Sequence, residues 1–99
     1  MKTPTSHQKA AEFHFALGHP RRLRIINVLN DTPKGLTFEM LEDETLIFGA
    51  SLSHHLRFLK DAGIVHRQIR DRFSIYTLDT TYMDRMMTSG VTKPIRKAA

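Results

Sequence analysis

Residues 49–78, GASLSHHLRFLKDAGIVHRQIRDRFSIYTL, constrain this chain more than any other stretch. At helical spacing Leu52, Leu56 and Leu59 fall on one face, closed by Ala62 and Gly63, while Ser53, His54, Arg57, Lys60 and Asp61 fall on the other. The apolar face requires a core. The polar face carries small donors and cations in place of the mixed charges of an ordinary solvated helix. After the glycine break, Ile64-Val65 opens one strand, and Phe73-Ser74-Ile75-Tyr76-Thr77-Leu78 has the β-branched and aromatic alternation of a second. Arg67, Arg70 and Arg72 lie between the two cores of this hairpin. The expected unit is a donor-faced helix followed by a hairpin with an arginine-rich tip.

Earlier elements can be read in order. Residues 1–5 are expected to be loose, and Ser6 caps a helix over roughly 7–17 with Ala10, Phe13 and Leu17 inward and Gly18 as its stop. Pro20 suits the first turn of a second helix, in which Leu23, Ile26 and Leu29 recur, Ile25 and Val28 widen the face, and Arg21, Arg22 and Arg24 stand outside. Residues 30–35 read as a turn. Thr37 caps a third helix, with Phe38, Met40 and Leu41 inward and Glu39, Glu42, Asp43 and Glu44 outward. Gly49 or Ser51 opens the fourth helix. After the hairpin, Thr80-Thr81 caps a last helix carrying Met83, Met86 and Met87, which Gly90 ends before a basic tail at 91–99. The whole is mainly α with a small β-wing, a winged helix-turn-helix in the order α-α-α-α-β-β-α.

Ninety-nine residues make a single domain over 1–99, small enough that dimerisation adds useful stability. A formal charge of +5 favours a polyanionic partner. The absence of cysteine removes disulfides, thiolate metal sites and thiol redox switching together. No apolar run has the length of a membrane span or a signal segment, so the reading is cytoplasmic, without a membrane partner.

The blocks ALGHPRRLRIINVL at 16–29, LTFEML at 36–41, SLSHHLRFLKDAGIV at 51–65 and RFSIYTL at 72–78 together resemble the ArsR-type bacterial transcriptional repressors. Ser53-x-His55-Leu56, Leu59 and Ala62-Gly63-Ile64-Val65 carry the most specific part of the likeness. The resemblance implies a winged helix-turn-helix that dimerises through its terminal helices and represses promoters until an effector releases it. Three departures accompany it. Glu39-Met40-Leu41-Glu42-Asp43 stands where the family's thiolate sites carry cysteines, and no histidine follows His66 to form the last-helix metal site. Leu46 and Asp71 each occupy a position where a turn glycine is usual.

On this reading the candidate DNA contacts are Ser51, Ser53, His54, Arg57, Lys60, Arg67, Arg70 and Arg72. Side chains of this kind reach base edges or phosphates from a helix in the major groove, and arginines at a wing tip suit the phosphate backbone or the minor groove. A solvated surface is the bland alternative for each, helix capping the alternative for Ser51, and a packed, hydrogen-bonded role the better reading for His55. Arg21, Arg22 and Arg24 could add phosphate contacts but equally form a solvated helix start. Candidate dimer contacts are Phe13, Leu17, Tyr82, Met83, Met86 and Met87.

His7, His14 and His19 invite a metal reading, but His7 and His14 are two turns apart, about 10.5 Å of helical rise, too far for one ion alone. Asp79, Asp84 or Glu12 could complete such a site across a dimer, which leaves a metal-sensing repressor as one alternative and a winged-helix module for protein–protein assembly as another. The expected partners are double-stranded DNA, a second copy of the chain and an effector of unidentified chemistry, with no cofactor and no resident metal. There is no glycine-rich phosphate loop and no nucleophile–base arrangement, so no enzymatic role is expected.

Overall fold

The computed structural model describes residues 6–88. The expected loose ends at 1–5 and 91–99, and the stop at Gly90, lie outside the described residues. The elements are α1 (Ser6–Leu17), α2 (Pro20–Asn30), β1 (Leu36–Thr37), α3 (Phe38–Thr45), α4 (Gly49–Asp61), β2 (Val65–Arg70), β3 (Phe73–Leu78) and α5 (Thr80–Thr88). The helical order and the hairpin follow the sequence reading. β1 does not: two residues are too short for a periodic signal, and they become a strand only by pairing Leu36 with Tyr76 and Thr37 with Ile75 on β3. The sheet is antiparallel in the order β1-β3-β2.

The core is built on α4. Leu52, Leu56 and Leu59 are all buried, packed with Phe13 and Ala16 of α1, Ile25, Ile26 and Leu29 of α2, Leu41 of α3, and Ile47, Ile64 and Val65 from the flanking segments. Burial of each large aliphatic chain is worth roughly 1.5–3 kcal/mol. Two inward assignments are corrected. Leu23 is 44% exposed and Met40 is 52% exposed. In α2 the inward positions are Arg22, Ile25, Ile26 and Leu29. The helix presents the side of Arg22 to α1, which turns Leu23 outward.

Arg22 enters the interior without a carboxylate. Its Nε donates to Ala16 O (2.8 Å) and its second terminal nitrogen donates to Phe15 O (3.1 Å). The guanidinium also stacks 4.2 Å above the Phe58 ring. Carbonyls at the end of α1 carry the negative end of the helix dipole, and Ala16 O and Phe15 O, the latter also accepting from the Gly18 N–H (3.0 Å), satisfy this cation. Arg24 likewise donates to Thr45 O (2.9 Å) at the end of α3. Of the two readings offered for these arginines, phosphate contact or a solvated helix start, neither fits buried Arg22, whereas Arg24 stays exposed while making its bond to Thr45.

Caps also resolve locally. Thr37 Oγ1 accepts from the Met40 N–H (3.2 Å), as expected. The cap of α5 is Asp79, whose Oδ1 accepts from the Tyr82 N–H (2.8 Å), and not Thr80 or Thr81. α4 begins after Phe48, which supplies no side-chain cap. The Glu42 carboxylate of α3 accepts from the Gly49 N–H instead (2.8 Å), placing negative charge at the positive end of α4. Leu46 (φ 58°) and Asp71 (φ 56°) adopt the left-handed conformation. Both are the positions where the sequence departs from a glycine.

Leu46→Gly is expected to raise stability by about 0.5–1 kcal/mol, because the side chain is 70% exposed and its backbone is strained. Leu56→Ala is expected to lower it by about 2–5 kcal/mol through a core cavity. Urea unfolding of the two variants checks both, with opposite shifts in midpoint.

Candidate nucleic-acid interface

The outward face of α4 presents Ser53, His54, Arg57 and Lys60 to solvent, as the leucine spacing dictates. β2 leaves the core at Val65 and runs beside this face. Arg67 pairs across the ladder with Tyr76. Ser53, Leu56, Arg57, Lys60, Arg67 and Tyr76 together line a cleft of about 210 Å³ between α4 and the wing. Helix and wing cations therefore converge on one concave surface, where positive charge without a carboxylate favours a polyanion. Arg67 is held in place by donating to Ser74 Oγ (2.9 Å).

Ser51 sits at the near end of α4, and its hydroxyl accepts from the Arg21 guanidinium (3.0 Å). Arg21 thus reaches the N-terminal end of α4 from α2, outside the cleft itself. Its neighbour His19 caps α2 by accepting from the Arg21 N–H at Nδ1 (3.1 Å). The sequence flagged Arg21 only as one of three cations at a helix start; distinguishing it from Arg22 and Arg24 required the α2–α4 packing. Tyr76 was not singled out at all, because its place in the cleft depends on the β2–β3 register.

The wing arginines do not all converge. Strand alternation puts Arg70 on the opposite side of β2 from Arg67, where it donates to Gln68 Oε1 (3.2 Å). Arg72 follows Asp71 at the turn and lines a separate concavity with Thr37, Phe38, Glu39, Phe73 and Ser74. Both remain exposed at the wing end, away from the α4 cleft.

His55 is packed, at 7% exposure. Its ring lies 4.7 Å from that of His19 and 5.7 Å from that of His54. The hydrogen-bonded role expected of it is not met at Nδ1, which is buried without a partner. Burial holds its pKa below the usual histidine value, helped by the neighbouring His19, Arg22, His54 and Arg21. Burial and the neighbouring cations thus disfavour a charge on this ring.

The proposed interface residues of the terminal helices divide. Leu17, Tyr82, Met83 and Met86 are half-buried and Met87 is exposed. Phe13 is fully buried within its own protomer and stacks edge-on to Tyr82 at 6.0 Å. It has no surface left for a partner, because the core claims its whole ring.

The base of the wing is tied to α5 by His66 Nε2 and Asp79 Oδ2, 2.6 Å apart. The hydrogen bond from His66, then that from the Tyr82 backbone, holds the Asp79 carboxyl below its ordinary value.

The description of bacterial regulatory proteins of the arsR family matches residues 19–67. An uncharacterized HTH-type transcriptional regulator of Methanocaldococcus jannaschii is 34% identical over 70 residues, covering 71% of this chain and 78% of that protein. Among solved structures, HlyU from Vibrio cholerae aligns with a TM-score of 0.72 at 27% identity, over 85% of this chain and 89% of that one. The transcriptional repressor BigR from Xylella fastidiosa aligns with a TM-score of 0.67 at 24% identity, over 79% of each chain. BigR, at that identity, supports the fold. No helix among the described residues is long and apolar enough to cross a membrane.

A carboxyl whose pKa is lowered by folding contributes stability that is present above its unfolded value, 3.8, and is lost as pH falls through the lowered one. Unfolding free energy measured between pH 6 and pH 2, in steps of about half a unit, is therefore expected to fall as pH drops below about 4, and Asp79→Asn to remove this contribution to the fall.

Proposed function

Since the chain belongs to the ArsR family of bacterial regulatory proteins and is a DNA-binding transcriptional regulator, we propose that it acts as a cytoplasmic homodimeric repressor of an inverted-repeat operator. The observation that carries this reading is the convergence of Ser53, Arg57 and Lys60 of α4 with Arg67 of the wing on a single cleft. A helix lying in the major groove would offer Ser53, His54 and Arg57 to base edges, with Arg57 able to bond a guanine in bidentate fashion. Arg21, Ser51, Lys60 and Arg67 flank that face as phosphate contacts, which position the helix and supply affinity without choosing sequence. Arg70 and Arg72 sit further along the wing, suited to backbone or minor-groove contact beyond the helix.

α5 supports the dimer, for it contains no fully buried residue, and its Tyr82, Met83, Met86 and Met87 retain surface. A two-fold arrangement through α1 and α5 would set two α4 helices into successive major grooves, which is why the operator should be an imperfect palindrome. A chain without cysteine cannot take its inducing signal through thiolate-bound metal. Among the described residues no three histidine or carboxylate side chains gather in a metal-binding group, and no observation favours the metal-sensing alternative.

The test is selection of duplexes from a random pool at two salt concentrations, with and without a chelator. Enrichment of a palindrome whose binding weakens steeply with salt and ignores the chelator is the expected result; no enriched sequence would overturn the reading. With the selected operator, Arg57→Ala is expected to cost about 1–3 kcal/mol and relax preference at one position. Arg67→Ala should weaken all duplexes alike and reduce the salt slope by about 1.

A further inference from the structure

A second concavity lies away from the cationic cleft. Glu12 and Phe15 of α1 face Phe58 and Asp61 of α4, with Ala62 at the end of that helix, around a space of about 350 Å³. Phe15 is 66% exposed, and its ring meets that of Phe58 edge-on, 5.5 Å between centroids. An exposed phenylalanine beside a second aromatic ring forms an apolar floor that solvent does not favour. The rim is acidic. On a chain of formal charge +5, this lining holds two carboxylates and, among the described residues, no cationic side chain.

We propose that this groove binds a small hydrophobic cation, an aromatic or quaternary ammonium ion, and that its occupancy changes the affinity of α4 for DNA. Ring faces attract cations through their quadrupole, and Glu12 and Asp61 supply complementary charge. Phe58 already receives one cation in this way, because the Arg22 guanidinium lies 4.2 Å over its ring. Arg22 lies against both rings of the floor, 4.2 Å from the Phe58 centroid and 5.7 Å from that of Phe15, with its donors directed to the carbonyl oxygens of Phe15 and Ala16, so a further cation is drawn chiefly by the two rim carboxylates and the exposed part of the Phe15 ring. A neutral ligand would cover the carboxylates without compensating them, and an anion would be repelled. The volume is that of a small organic ligand.

The coupling to DNA follows from shared structure and rests on the reading that α4 faces DNA. Phe58 and Asp61 belong to the same helix as Ser53, His54 and Arg57. Arg22 ties that helix, through Phe58, to the end of α1. The leucine stripe fixes α4 about its own axis but not its tilt against α1, so a ligand wedged between α1 and the last turn of α4 would favour one tilt over another, which is the requirement for shifting its DNA affinity.

The test titrates the full chain, first without DNA, with benzyltriethylammonium, with neutral N,N-diethylbenzamide and with 4-ethylbenzenesulfonate. Amide chemical shifts are followed by NMR. Saturable shifts at Glu12, Phe15, Phe58 and Asp61 are expected with the ammonium ion alone. Phe15→Ala, and Glu12→Gln combined with Asp61→Asn, should each weaken that binding by about tenfold. Both replace exposed side chains, so the variants fold, and their spectra verify it. Saturating ammonium ion should then change affinity for the selected operator by about fivefold or more. Absence of saturable binding, equal binding of the neutral amide, or indifference to the acid substitutions would overturn the site. Binding with unchanged operator affinity would overturn the regulation. If Phe15→Ala instead converts a dimer to monomer in sedimentation and no ammonium ion binds, the groove is an interface between copies and the proposal fails. Because the first titration contains no DNA, failure of the repressor reading leaves a distinct signature.

Discussion

The leucine stripe of α4 is the constraint on which the other elements depend. Leu52, Leu56 and Leu59 are buried against side chains from α1, α2, α3 and the first residues of the wing. A helix so pinned cannot rotate about its axis without exposing several kcal/mol of apolar surface. Its opposite face is therefore held in one orientation, and Ser53, His54, Arg57 and Lys60 reach solvent together. The core that stabilises the domain also fixes what the domain presents.

Arg22 is the polar counterpart of this arrangement. A buried guanidinium is tolerated only when its donors are used, and here the end of α1 supplies two carbonyl oxygens while Phe58 supplies a ring face. One side chain thus joins the first, second and fourth helices. Glu42 does comparable work at the other end of α4, where its carboxylate bonds the Gly49 N–H in place of the missing cap. Both ends of α4 are thus secured by side chains from other helices, Glu42 of α3 and Arg22 of α2.

Much of the fold was legible in the residues. Helical spacing located the helices, Gly18 and Pro20 marked the boundary between the first two, and the alternation of Phe73–Leu78 marked a strand. Failures came where a position's environment is set by a partner element. Met40 and Leu23 are apolar and close to the inward phase, yet they face solvent because neighbouring residues fill the contact. Phe13 had the composition of an interface residue, but Tyr82 and the core enclose it. β1 exists only because β3 passes within bonding distance. The candidate site was partly legible: the α4 contacts follow from one helix, whereas Arg67, Arg70 and Arg72 could be sorted only by the sheet.

The sequence by itself determined the amphipathic fourth helix, the hairpin behind it, the excess of positive charge and the exclusion of thiolate chemistry. Each follows from local periodicity or from composition, which neighbours in space do not alter. Tertiary structure alone decided which arginine is built into the interior and which reaches the surface. Arg21 and Arg22 are adjacent in the chain, but a helix turns about 100° per residue, so one points to Ser51 at the surface and the other to the carbonyls of α1. Only the packing of α2 against both neighbours fixes which is which. The pairing of Phe15 with Phe58 beneath an acidic rim was decided in the same way, by two helices meeting from distant parts of the chain.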